Sequence, residues 1–146
     1  YTTLFRSKNM TVSSKNLNVR LANIFKDFLE SNNGTRFRMM FMTSHGIITG
    51  VLQVPNSNSY DFEEFIRESF EKSFDLDLNA IKVMKMEYIE DADEEIDFIG
   101  DGNFIVLTKV KIYKNTLDEP MLKLSSFLLH TEDIIGLSYV PEESEL

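Results

Sequence analysis

The chain has 146 residues, 42% of them hydrophobic and 27% charged, with a formal charge of −9 and no cysteine. That length and balance describe one globular domain with its own core and exclude a disordered chain, while the missing thiols exclude disulfides and thiolate metal sites. No apolar run reaches the ~18 residues of a membrane span and no leader is evident, so a soluble, cytoplasmic protein is the default expectation.

The charge is unevenly spread. Residues 1–40 carry seven basic side chains (Arg6, Lys8, Lys15, Arg20, Lys26, Arg36, Arg38) against Asp27 and Glu30, and the remaining residues are strongly acidic. A molecule with one basic end can steer an anion or a second copy of itself, although mixed charge also serves solubility alone.

In chain order, residues 1–13 show no periodicity and read as a disordered tail or a cloning remnant. From residue 14 the apolar positions Leu17, Leu21, Ile24, Phe25 and Phe28 fall at helical spacing, with Lys26, Asp27 and Glu30 off the stripe. Ser14 or Asn16 can cap this helix, and Asn33-Gly34 offers a left-handed exit. Phe37, Met39 and Phe41 then alternate with Arg36, Arg38 and Met40, which predicts a strand with aromatics on one face and arginines on the other. Ser44-His45-Gly46 turns the chain, and "IITGVLQV" returns as a second strand whose internal Gly50 predicts a bend or bulge.

After Pro55 the period changes. Phe62, Phe65, Ile66, Phe70 and Phe74 share one helical face, with Asp61 and Glu64 spaced as a capping box. "NAIKVMKMEYI" mixes β-branched, Met and Tyr residues and is expected to be an extra strand. "FIVLTKVKIYK", "MLKLSSFLLH" and "DIIGLSYV" read as three further strands, the last two joined by the short "TED" turn. The expected layout is one domain over 14–140, with an insertion at about 56–101 and a frayed acidic tail over 141–146.

A helix, a glycine-bearing hairpin in "LANIFKDFLESNNGTRFRMMFMTSHGIITGVL" and the closing pair "FLLHTEDIIGLSYV" resemble the Sm-like fold of Sm, Lsm and Hfq proteins. The resemblance covers about half the chain. It implies an α+β, mainly β domain: an N-terminal helix capping a small, strongly bent five-stranded antiparallel barrel of Sm-like or SH3-like type. Gly46 would sit in the turn and Gly50 at the bend. It also implies self-association through edge strands and RNA contact. The chain departs from the family where RNA would be held, with Pro55 and the insertion following the second strand and His130-Thr131 standing in the second RNA-contacting loop in place of an Arg-Gly pair.

Any phosphate binding would therefore rest on Lys15, Arg20, Arg36 and Arg38, and the acidic total argues against tight, nonspecific RNA binding. "EYIEDADEEIDFIGDG" concentrates carboxylates without a basic residue. A calcium loop of EF-hand type counted from Asp91 would need glycine and a carboxylate where Ile96 and Gly102 stand, so Asp91, Asp93, Glu94 and Glu95 read instead as a solvated loop able to meet a basic protein surface. His45 and His130 lack metal-site spacing, Ser44 lacks a nucleophile setting, and no glycine-rich phosphate loop occurs. No cofactor, metal or catalytic residue is expected. The resulting expectation is a non-enzymatic Sm-like scaffold or interaction protein that forms homo-oligomers. The alternative is an acidic protein-binding inhibitor of immunity type.

Overall fold

A computed structural model describes residues 13–72, 75–99 and 102–142. Residues 1–12 and 143–146 of the two expected tails lie outside the described residues. Within them, helix α1 spans Ser14–Asn33, strand β1 Phe37–Thr43 and strand β2 Gly46–Leu52. Helix α2 (Phe62–Lys72) and helix α3 (Ala80–Asp91) follow, then β3 (Phe104–Tyr113), β4 (Leu122–His130), a single 3-10 turn (Thr131–Asp133) and β5 (Ile134–Pro141). The domain is α+β and mainly β.

The strands form one five-stranded antiparallel sheet in the order β4-β3-β2-β1-β5. Consecutive antiparallel strands need only short connections, and the 3-10 turn carries the chain from one edge of the sheet to the other. No pairing joins β4 to β5, so the hydrogen-bonded sheet is open where the sequence led us to expect a barrel. Its core gathers Met39, Phe41, Ile48, Ile105, Leu107, Val110, Leu129 and Ile134 with Val19 of α1. Met39 and Phe41 are 0% exposed, as the alternation of β1 requires, and Leu107 is equally hidden in a stretch of β3 buried on both faces, Phe104 to Leu107.

Two glycines shape the hairpin. Gly46 has φ 151, and a Cβ there would meet the Tyr113 carbonyl oxygen at 2.4 Å, so only glycine lets β3 pass. At Gly50 the β2–β3 register breaks: Thr49 pairs with Lys111 but Val51 with Thr108. The extra residue lies in β3, where Lys109 takes φ 52, and a Cβ on Gly50 would stand 3.1 Å from the Thr108 carbonyl oxygen. The expected bend site is thus a bulge whose bulged strand is the neighbour.

Three expectations change. The 80–91 segment is helix α3, not a strand: Asp77 Oδ1 accepts from the backbone N–H of Asn79 at 2.9 Å, and this local turn starts the helix. Its apolar residues spread around the helix, so no stripe was visible in the sequence. The α1 cap is Ser13, whose hydroxyl accepts from the Asn16 N–H at 3.4 Å, so residue 13 belongs to the domain. Pro141 closes β5, and the Glu142 N–H donates to the Arg36 carbonyl at 2.9 Å, so the acidic tail begins inside the sheet. Gly34 does supply the left-handed exit, at φ 72. The Glu64 N–H donates to Asp61 Oδ1 at 3.0 Å, which is one half of the expected capping box.

Candidate functional site

Helix α1 docks on the sheet in an unusual sense. An amphipathic helix normally turns its apolar stripe to the core. Here Leu17, Leu21, Ile24, Phe25 and Phe28 are between 45% and 63% exposed, while Asn16, Val19 and Lys26 are buried. At 3.6 residues per turn the five apolar side chains form one outward ridge, bordered by Arg20 and Asp27 on one side and by Ser14, Asn18 and Asn32 on the other.

The inward face holds by polar ties. Lys15 Nζ donates to the carbonyls of Glu132 and Ile134 at 3.1 and 3.0 Å, and Tyr139 Oη donates to the Ala22 carbonyl at 2.7 Å. At the other end, Lys26 Nζ reaches Asp27 Oδ1 and Glu30 Oε1 at 3.1 and 3.2 Å, and Glu30 Oε2 accepts the Phe37 N–H at 2.7 Å. The Phe37 N–H, helped by Lys26 and Arg36, holds the Glu30 carboxyl below its usual range. Burial pulls Lys26 down, but its two carboxylate partners outweigh that and raise it.

Beside α1 lies a groove of about 750 Å³, walled by α1, α3, residues 52–60 and the start of β3. Its charged lining residues are Arg20 and Lys82, with Asn16, Asn23, Gln53 and Asn79 among the amides. Ile24, Val54, Val83 and Met86 supply an apolar wall. Lys82 Nζ sits 4.8 Å from the centroid of the Phe104 ring. Burial, then the nearby positive charge of Arg20, push the Lys82 ammonium below its usual range, and Asp77 only partly offsets them. Asp77 is otherwise engaged, accepting from Asn56 N at 2.7 Å and from both nitrogens of Asn79 at 2.9 Å. Asn16 Oδ1 and Gln53 Oε1 are buried and have no hydrogen-bond partner among the described residues.

The four cations expected to meet phosphate do not come together. Lys15 is held by backbone carbonyls, and Arg36 is exposed beyond the end of α1. Arg38 is only 9% exposed and donates its Nη2 to the Lys109 carbonyl, which fixes the bulge. Arg20 borders the groove described above, where the other charged lining residue is Lys82. The acidic candidates are all exposed, Asp91 at the end of α3 and Asp93, Glu94 and Glu95 just beyond it. Among the described residues no three His, Cys, Asp or Glu side chains gather as metal ligands, and no helix is long and apolar enough to cross a membrane.

Lys82, Asn79 and Gln53 were not singled out in the sequence. The signal that was available is weak: "NSNS" together with "LNA" supplies amides on both sides of an inserted helix, without indicating that they meet. Compared with models of known families, with curated proteins and with solved structures, the chain has no match.

Proposed function

We propose that this chain is a non-enzymatic, self-associating interaction module of Sm-like type, in which the outward ridge of α1 packs antiparallel against α1 of a second copy. The observation that carries the reading is the exposure of Leu17, Leu21, Ile24, Phe25 and Phe28 along a well-formed helix. Together they offer about 500–600 Å² per copy, the upper end of the largest apolar patches on monomers, which are often functional, and, doubled, close to the lower end of a standard interface. In an antiparallel two-fold pair, Arg20 of each copy comes opposite the second copy's Asp27, so the charged residues that flank the ridge among the described residues are complementary.

The Sm-like part of the reading is supported by the helix preceding five antiparallel strands, by their order, by the 3-10 turn between β4 and β5, and by the bulge opposite Gly50 that would curve a small barrel. The outer edges of β4 and β5, each paired on one side only, offer a second route to assembly.

Light scattering after size exclusion tests the proposal. The wild-type chain should weigh a multiple of one protomer, and Phe28→Glu should yield a folded monomer. Arg20→Glu and Asp27→Arg should each weaken association, and the double variant should regain it. A strict monomer at about 100 μM, far above a micromolar Kd, would remove the proposal. The acidic-inhibitor reading would then rest on the exposed Asp91, Asp93, Glu94 and Glu95.

A further inference from the structure

We infer that the groove between α1, α3 and the 52–60 segment binds a small organic anion, whose phosphate or carboxylate is held by Arg20 and Lys82 while its apolar body lies against Ile24, Val54, Val83 and Met86. The volume of about 750 Å³ suits a small-molecule site, as does an apolar wall with a few convergent polar groups. In a chain of net charge −9, this cavity is lined, among the described residues, by two cations and by no carboxylate. Among the described residues neither Arg20 nor Lys82 forms an ion pair; Arg20 is exposed at the rim of the groove, and the half-buried Lys82 feels its positive charge. A half-buried ammonium loses hydration and is repelled by a neighbouring cation, and an anion bound beside both offsets these penalties.

A second, independent feature points to the same place. Asn16 is only 7% exposed, and its Oδ1, like Gln53 Oε1, is buried and unpartnered among the described residues. A buried acceptor without a donor costs about 1–3 kcal/mol unless something supplies the proton. Both residues line the groove, and the two oxygens themselves lie behind its surface. Lys82 and Arg20 can donate to the head directly, and charge-assisted bonds of this kind are the stronger ones. The open face of the Phe104 ring under Lys82 keeps that ammonium in place when the groove is empty.

Arg20 also borders the α1 ridge, so the test is read on Lys82, which lies on α3 and leaves that ridge untouched. Phenyl phosphate, benzoate and neutral benzamide are titrated separately into the full chain at low ionic strength. Binding is followed by amide NMR shifts and by calorimetry. At least one anion should bind saturably and shift Gln53, Asn79 and Lys82, with benzamide about tenfold or more weaker. The better of the two anions tells a phosphate head from a carboxylate. Lys82→Met should lose about tenfold or more of that affinity while its thermal midpoint stays or rises, and Lys82→Arg should keep most of the binding. Lys85→Met, on the same helix outside the groove, serves as the control and should bind like wild type. No saturable binding at millimolar anion would overturn the inference. So would equal binding of benzamide, or full binding by Lys82→Met. Single-stranded RNA binding through Lys82, with neither small anion bound, would assign the groove to a polymer and overturn it as well.

Discussion

The sheet and helix α1 treat their apolar residues in opposite ways. β1 and β3 hide Met39, Phe41 and Leu107 completely, whereas α1 turns Ile24 and Phe28 to the outside and docks through Val19 and Ala22 together with Lys15, Glu30 and the Tyr139 hydroxyl. Apolar burial drives folding in the first region, and polar ties orient the second. An element held by hydrogen bonds can keep its apolar face for another surface. The largest effects are therefore expected where burial is complete. Phe41→Ala should destabilise the domain by about 3–5 kcal/mol in urea unfolding, because the core around it cannot collapse to fill the gap. Phe28→Ser, measured in the same way at a protomer concentration low enough to exclude association, should change stability by less than about 0.5 kcal/mol. A large loss at Phe28 would show that the ridge is part of the fold and would end the contrast.

The bulge gives an intermediate case. Arg38 lies inside the sheet, and its guanidinium donates to the Lys109 carbonyl, the residue held at φ 52. Arg38→Met should cost about 2 kcal/mol, since it removes a charge-assisted bond and leaves the buried carbonyl unsatisfied. Gly50→Ala should cost about 1–2 kcal/mol. The new methyl would stand 3.1 Å from the Thr108 carbonyl oxygen and 3.2 Å from Leu107 Cβ, and neither backbone oxygen nor Cβ can swing away. If Gly50→Ala were neutral, the bulge would be less constrained than its geometry states.

The same contrast separates what could be read from the sequence and what could not. Five strands, their order along the chain, the turn before Gly46 and the C-terminal end of α1 follow from period-two alternation, turn residues and the Gly34 exit, which are local signals. The direction in which α1 faces is not local. Helical periodicity in Leu17, Leu21, Ile24, Phe25 and Phe28 defines a face, and only the tertiary partners decide whether that face looks in or out. Arg38 misled for a related reason: alternation placed it opposite the aromatics, among the cations expected to meet phosphate, and the Lys109 carbonyl gives it a buried partner instead. Helix α3 escaped because Ile81, Met84 and Tyr88 are exposed while Val83 is buried, so its sequence carries no single stripe. The groove draws on residues 16–24, 52–60, 79–86 and 104–106, and no spacing rule connects four such segments.

The smallest effect probes the polar docking of α1 through pH. Glu30 has its carboxyl lowered by the Phe37 N–H and by Lys26, so the folded state binds its proton more weakly than the unfolded chain does. Its contribution is fully present above the ordinary value of 4.5 and is lost as pH falls through the lower, folded value. Lys26, raised by Asp27 and Glu30, stays protonated throughout that acid range and does not mask the effect. Glu30→Gln keeps an acceptor for the Phe37 N–H but removes the charge facing Lys26. Wild type should therefore exceed the variant by up to about 1 kcal/mol near neutral pH, a modest figure because the pair is partly solvated. The gap should close as the medium is acidified below 4.5. A gap that persists unchanged in acid would mean that Glu30 acts by shape and not by charge, and the end of α1 would then be held by packing, as the sheet is.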